Sequence, residues 1–241
     1  MRRRTLTELA NNPDLISGIY NYCDRWCERC PLTSRCLVYA TEQEDNDLPQ
    51  SHDIRNEAFW RKLAAIFQET RELIVTWAQE AGISLNHETT EADDSRHKRK
   101  RQLVDSHPLT KAGKKYANAA SDWFREFDQT MEVSDVEDAR EVIQWYQYQI
   151  AVKTMRALSG RKEEIEEGPE IADFPKDSDG SAKVALIGID RSIAAWRMMQ
   201  MSLPDRIDSI VPLMLQLERL RRRLENGFPA ARNFIRPGFD G

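Results

Sequence analysis

Val184-Ala185-Leu186-Ile187-Gly188-Ile189-Asp190-Arg191-Ser192-Ile193-Ala194-Ala195-Trp196 is the stretch that decides the fold class. It lies within Ser181 to Met201, the least polar helical segment of the chain, and a helix that is apolar on most sides belongs near the centre of a bundle. One carboxylate interrupts it. The residues three and four positions from Asp190 are Leu186, Ile187, Ile193 and Ala194, which puts the acid on the apolar face. Lys153 holds a comparable place between Ile150 and Ala157 on the preceding helix. A buried charge without a partner is very costly, so Asp190 is expected to be buried and paired with a basic group, Lys153 first. The functional alternative is an enzyme with a ligand or proton-transfer site in the bundle core near Asp190.

Working outward, the neighbouring segments also carry the helical period. Ile54 to Ala81 places Phe59, Leu63, Ile66, Phe67, Leu73, Ile74 and Trp77 at helical spacing, and Gly82 is positioned to end the helix. A second helix follows Pro108, from Thr110 to Phe127, with Tyr116, Ala120, Trp123, Phe124 and Phe127 as its buried side. The third opens with Ser134 and Glu137 spaced as a capping box and runs to Leu158, with Gly160 as its stop. Its inward stripe is Val142, Trp145, Tyr146, Ile150 and Ala157. Ser181 to Met201 is the fourth. The fifth runs from Pro204 to Asn226, with Pro212 as a kink and Gly227 as its stop. Two polar stretches, Ser84 to His107 and Glu163 to Gly180, read as solvated linkers. No run of alternating β-branched residues occurs. The expectation is an all-α protein, a bundle of about five long helices over residues 51–241, preceded by a short cysteine-bearing, metal-binding segment over residues 1–50.

That segment holds every cysteine of the chain: Cys23, Cys27, Cys30 and Cys36. A chain of 241 residues buries enough surface to fold without covalent staples, so the cluster is not needed for size. Clustered cysteines in a reducing compartment are metal ligands more often than disulfides. Pro31 disfavours a helical Cys30 and turns the chain toward Cys36. Were residues 23 to 30 helical, Cys23, Cys27 and Cys30 would share a face. In either arrangement the four sulfurs are expected to face one point.

Two metals suit four thiolates. Zinc draws its sulfurs close together and usually needs a Cys-x2-Cys knuckle, which only Cys27 and Cys30 supply. A [4Fe-4S] cluster holds its ligands farther apart, tolerates uneven spacing and often has a cysteine followed by proline, so iron–sulfur is favoured and zinc is the alternative. Arg25, Arg29 and Arg35 alternate with Asp24 and Glu28 through the segment, where they would offset the negative charge of the centre.

The run Cys27-Glu28-Arg29-Cys30-Pro31-Leu32-Thr33-Ser34-Arg35-Cys36 resembles the Cys-x2-Cys-Pro-x4-Cys signature of iron–sulfur nucleases of the CRISPR-associated exonuclease and recombination helicase–nuclease families. The resemblance implies that these cysteines help bind a [4Fe-4S] cluster. It covers ten residues. Those families place the first cysteine far upstream, whereas Cys23 is close by, and their strand-borne acidic and lysine pattern is not found here. The resemblance therefore bears on the cluster and not on nuclease activity.

Charge bounds the partners. The formal net charge of −5 disfavours a general nucleic-acid binder. Contact through local basic patches stays open, at Arg96 to Arg101 and at Arg219, Arg221, Arg222 and Arg223, and a zinc-stabilised, nucleic-acid-associated accessory protein is the second function considered. Arg2, Arg3 and Arg4 are followed by a polar stretch with no apolar run of signal-peptide length, and no segment suits a membrane, so the cytoplasm is the expected compartment. A di-iron carboxylate bundle needs Glu-x-x-His pairs, and none of His52, His87, His97 and His107 stands three residues after a Glu. Glu57, Glu137 and Glu141 are the acids that could face inward.

Overall fold

A computed structural model of the chain describes residues 6–45, 54–85, 91–127, 136–167 and 176–240. Among them the chain is all-α, with eight α-helices and no strand. These are α1 (Leu6–Ala10), α2 (Leu37–Asp45), α3 (Glu57–Glu80), α4 (Glu91–Ser106), α5 (Pro108–Phe127), α6 (Glu137–Glu167), α7 (Asp177–Ser202) and α8 (Ile207–Gly227). The five long helices read from the sequence are α3, α5, α6, α7 and α8. By packing the chain divides into two units, one of Met1–Asn21, Arg25–Glu91 and Pro237–Gly241, the other of Tyr22–Asp24 and Ala92–Arg236.

In the first unit α1 packs on α2 and α3, so α3 goes with the amino-terminal segment and not with the other long helices. Asn56 caps α3, its side-chain oxygen accepting the Ala58 N–H at 2.9 Å. At the other end Gly82, at φ +68°, lets Ile83 N–H reach back to Ala78 O at 2.8 Å and Gly82 N–H to Gln79 O at 3.2 Å, the hydrogen-bond pair of a Schellman stop. Of the apolar positions that marked this helix, Phe67, Ile74 and Trp77 are exposed, while Phe59, Leu63, Ile66 and Leu73 are half-buried.

The second unit is built on a four-helix bundle, one helix fewer than the sequence suggested. Consecutive helices pack together and α5 returns to α8, which closes the ring. The contacts fix the directions. Gly113 lies against Ala151, whereas Ser121, further along α5, bonds Gln147, earlier on α6, at 3.4 Å. Gly160 lies against Ser178, and Gly188 against Tyr146 and Ile150. Trp123 Nε1 donates to Ser209 at 2.9 Å, near the start of α8, and Leu109, at the start of α5, meets Gly227 at its end. Each of these pairs is therefore antiparallel.

Nearly every residue of α7 from Ser178 to Ile189 is buried, which bears out its place at the centre. Leu186, Ile189, Trp196 and Met199 are fully enclosed, and each large apolar side chain so buried contributes about 1.5–3 kcal/mol. Trp196 stacks on Phe124 and meets Trp123 edge-on, with its Nε1–H donating to the Tyr116 hydroxyl at 3.0 Å. On α6, Tyr146, Ile150 and Ala157 are buried as expected, while Val142 and Trp145 are half-buried.

Three linker readings are corrected. The span 84–107 contains α4, because acids at its start suit the positive end of a helix and the Lys, Arg, Gln and Leu that follow are good helix formers. Gly160 does not stop α6, which continues to Glu167. A side chain at position 160 would stand 3.3 Å from the backbone nitrogen of Ser178, so this glycine serves the close approach of two helices. A side chain near the end of α6 caps the start of α7. Glu164 accepts the Ser178 N–H at 3.0 Å and its hydroxyl at 2.8 Å, satisfying an orphan donor of α7. Ser134, read as the cap of the third helix, lies outside the described residues. Pro212 sits inside α8, which continues across it.

Candidate metal centre

The cysteine segment is not α-helical between 23 and 30. Cys27 opens a 3-10 turn, Cys27–Arg29, and Thr33–Arg35 forms a second. Each turn is closed by the N–H of the cysteine that follows it, Cys30 to Cys27 O and Cys36 to Thr33 O, both at 3.2 Å. Cys30 is extended at φ −87°, ψ 122°, as its proline neighbour requires, and Cys36 repeats that conformation at φ −111°, ψ 121°. Two cysteines thus leave tight turns in the same way. The Sγ of Cys30 accepts the Leu32 N–H at 3.4 Å, a bond that strengthens when the sulfur is a thiolate.

Neighbouring residues hold this loop. Ile16 N–H donates to Arg35 O at 2.9 Å, and Arg35 Nε donates to Asp14 O at 3.3 Å. Arg29 lies over the ring of Trp26, 4.3 Å from its centroid, and Trp26 is buried. Arg25 adopts φ +57°, in the left-handed region that costs a side-chain-bearing residue about 1–2 kcal/mol. All three arginines are exposed. Two of them therefore have structural tasks beyond any role in balancing charge.

Cys23 belongs to the second unit, with Tyr22 and Asp24. The Asp24 carboxylate accepts from the Tyr146 hydroxyl at 2.5 Å and from Arg191 at 2.7 Å, and Arg191 also donates to that hydroxyl. The Asp24 carbonyl accepts Trp145 Nε1–H at 2.9 Å and the side-chain amide of Gln149. Burial, reinforced by the bond to Asp24, pushes the Tyr146 hydroxyl well above its usual range. On the other side of Cys23, Tyr22 packs on Phe234 with ring centroids 4.7 Å apart and lies over Gly180. Burial, then Asp177, pushes Tyr22 up to about 12. No local pattern marks these anchors, whose partners on α6 and α7 lie more than a hundred residues away.

All four cysteines are half-buried thiols outside any disulfide. Among the described residues, no three or more His, Cys, Asp or Glu side chains are gathered as a set that could hold a metal ion. The four sulfurs are therefore not gathered at one point, as the sequence reading expects; what the segment offers is donor chemistry alone, four thiols with one sulfur already accepting an amide.

Family models, curated proteins and solved structures give no significant match to this chain.

The other candidates read from the sequence are placed as follows. Asp190 is not buried. Its side chain is 38% exposed, and its oxygens pair with Arg221 at 3.3 Å and Arg232 at 2.6 Å. Lys153 is buried on α6 and is not its partner. The pair expected within the core therefore forms at the outer seam of α7 and α8, since position 190 points between the two helices where arginines from α8 and beyond can reach it. Glu57, Glu137 and Glu141 are exposed, with Glu57 paired to Arg61 at 3.6 Å. Arg96 to Arg99 and Arg101 are exposed on α4, with Lys100 half-buried among them, and Arg219, Arg222 and Arg223 are exposed on α8. No helix among the described residues is long and apolar enough to cross a membrane.

Proposed function

We propose that Cys23, Cys27, Cys30 and Cys36 ligate one metal centre, a [4Fe-4S] cluster in the first reading and zinc in the second, in a metal-binding protein of the cytoplasm whose centre is structural or redox-responsive. The observation that carries this is the pair of 3-10 turns that deliver Cys30 and Cys36 in matching extended conformations, with the Cys30 sulfur already accepting a backbone N–H. Thiols that serve only as small apolar side chains need no amide partner and gain nothing from a repeated turn. Such N–H···S bonds stabilise thiolate over thiol and tune the potential of a bound cluster. A bound cluster would supply one-electron chemistry; zinc would supply folding energy alone.

Iron, acid-labile sulfide and zinc are to be measured in protein purified without oxygen, together with its visible absorption. A brown protein with matched iron and sulfide supports the cluster, and one zinc per chain supports the alternative. Each single Cys→Ser variant is expected to lose most of the metal while α5 to α8 stay folded. Metal-free wild-type protein that refolds no more stably with added iron and sulfide or zinc would overturn both readings.

A further inference from the structure

Along the seam between α7 and α8, one residue per turn faces outward from each helix. On α7 these are Asp190, Ala194 and Arg197; on α8 they are Glu218, Arg221 with Arg222, and Glu225. With Arg232 they line an open groove of about 510 Å³, within the range of small-molecule sites. Ala194 is small, which leaves room between the charged side chains.

The charges in the groove fall into two sets. One is a linear chain of ion pairs, in which Glu218 holds Arg221 at 2.7 Å, Arg221 reaches Asp190 at 3.3 Å, Asp190 holds Arg232 at 2.6 Å and Arg232 holds Glu225 at 2.7 Å. Each carboxylate of the groove is engaged in it, and the bond to Asp190 raises the basicity of Arg232 further. The second set is Arg197 and Arg222, which are exposed and have no hydrogen-bond or ion-pair partner among the described residues. Four guanidinium groups against three carboxylates leave the groove positive even though the chain as a whole is acidic.

We infer that this groove is an anion site for a phosphate-bearing small molecule, with Arg197 and Arg222 taking the phosphate group and the fixed chain around Asp190 forming its wall. Two guanidinium groups with no carboxylate of their own, in a groove of net positive charge, offer planar forks that fit phosphate oxygens. Arg221 and Arg232 are already held by their carboxylates, so the wall of the groove needs no ordering, and only Arg197 and Arg222 become ordered on a ligand. The engaged acids disfavour a long polyanion, whose successive phosphates would meet Glu218 and Glu225, and favour a compact ligand. The inference is independent of the cysteine centre.

The test is calorimetric titration of the full chain at low salt with inorganic phosphate, pyrophosphate and adenosine monophosphate, with acetate as a monovalent control. The expected result is saturable binding of at least one phosphate probe, weakened by added salt and absent for acetate. The double variant Arg197→Gln/Arg222→Gln should lose about tenfold or more in affinity with its unfolding midpoint unchanged. Arg219→Gln/Arg223→Gln, on the same helix outside the groove, should retain wild-type affinity. Failure of all three probes to bind would overturn the inference, as would binding that survives in the first double variant. An equal loss in both double variants, or tight binding of a single-stranded oligonucleotide with the same dependence on both pairs, would also overturn it, since the contact would then be a general one made by a basic helix.

Discussion

Replacing Asp24 with Ala tests how firmly the residue after Cys23 is held within the second unit. The carboxylate takes the Tyr146 hydroxyl at 2.5 Å and Arg191 at 2.7 Å, and Tyr146 is fully buried while the Arg191 side chain is 55% exposed. These two contacts carry unequal weight. Loss of the acceptor strands a buried hydroxyl proton, at a cost of about 1–3 kcal/mol. The ion pair to a mostly exposed arginine is screened by water and contributes at most about 1 kcal/mol. The carbonyl of Asp24 keeps its bonds from Trp145 and Gln149 in the variant, since they use the main chain.

Asp24→Ala should therefore lose about 2–4 kcal/mol in urea unfolding followed by tryptophan fluorescence, with a fall in melting temperature of roughly 5–10 °C. Asp24→Asn keeps an acceptor for the Tyr146 hydroxyl and should lose about 1 kcal/mol or less. In a double-mutant cycle, Asp24→Ala and Tyr146→Phe should couple by about 1–2 kcal/mol, because each removes one end of the same bond. Strict additivity, or a loss in Asp24→Ala below about 0.5 kcal/mol, would refute the reasoning and make Asp24 an ordinary surface acid.

Gly180→Ala should be destabilising by about 1–3 kcal/mol, because the added carbon would stand 2.4 Å from the Tyr22 ring and 2.7 Å from Phe234; differential scanning calorimetry reads it, and unchanged melting would show that Tyr22 is not held in that slot. At the α4–α5 junction His107 Nδ1 accepts the Leu109 N–H at 3.2 Å, and burial lowers its pKa from the ordinary 6.5. The unfolded chain takes up the proton first, so this stability is present above that value and is lost as pH falls from it through the lowered folded value. Urea midpoints measured between ~pH 7 and ~pH 5 should fall less in His107→Asn, which keeps an acceptor without a titration, and an identical fall in both proteins would remove His107 as its source.

Local order was legible in the sequence wherever one period or one terminator decided it. Gly82, Pro108 and Pro31 act within four or five residues, and the stop, start and turn that they imply are where the structure has them. The errors have one form. Gly160 and the acids near it have the composition of a break, but the facing helix matters there, because Gly160 lies against Ser178 and Glu164 accepts the Ser178 N–H and hydroxyl at the start of α7. Composition describes a segment by itself, and such a segment becomes helical through a partner that no local window contains.

The same distinction explains why the candidate sites were only partly legible. Four clustered cysteines are visible in any reading, but the side chains that hold the residues beside Cys23 come from afar, Arg191 to Asp24 and Phe234 to Tyr22. Asp190 makes the case most clearly. Its apolar neighbours at helical spacing indicated a core position, and Ile193 is indeed buried beside it, yet the acid lies just past the edge of that face, where α8 supplies Arg221. A helix face is a stripe with two borders, and a residue on the border has apolar sequence neighbours whether it points inward or along the seam. For a charged residue the seam wins, because an arginine can reach it there without either charge leaving water completely. A border acid thus draws arginines to the outer seam, and once its own charge is satisfied, the next arginines along that seam, here Arg197 and Arg222, are left facing an open groove with charge to spare.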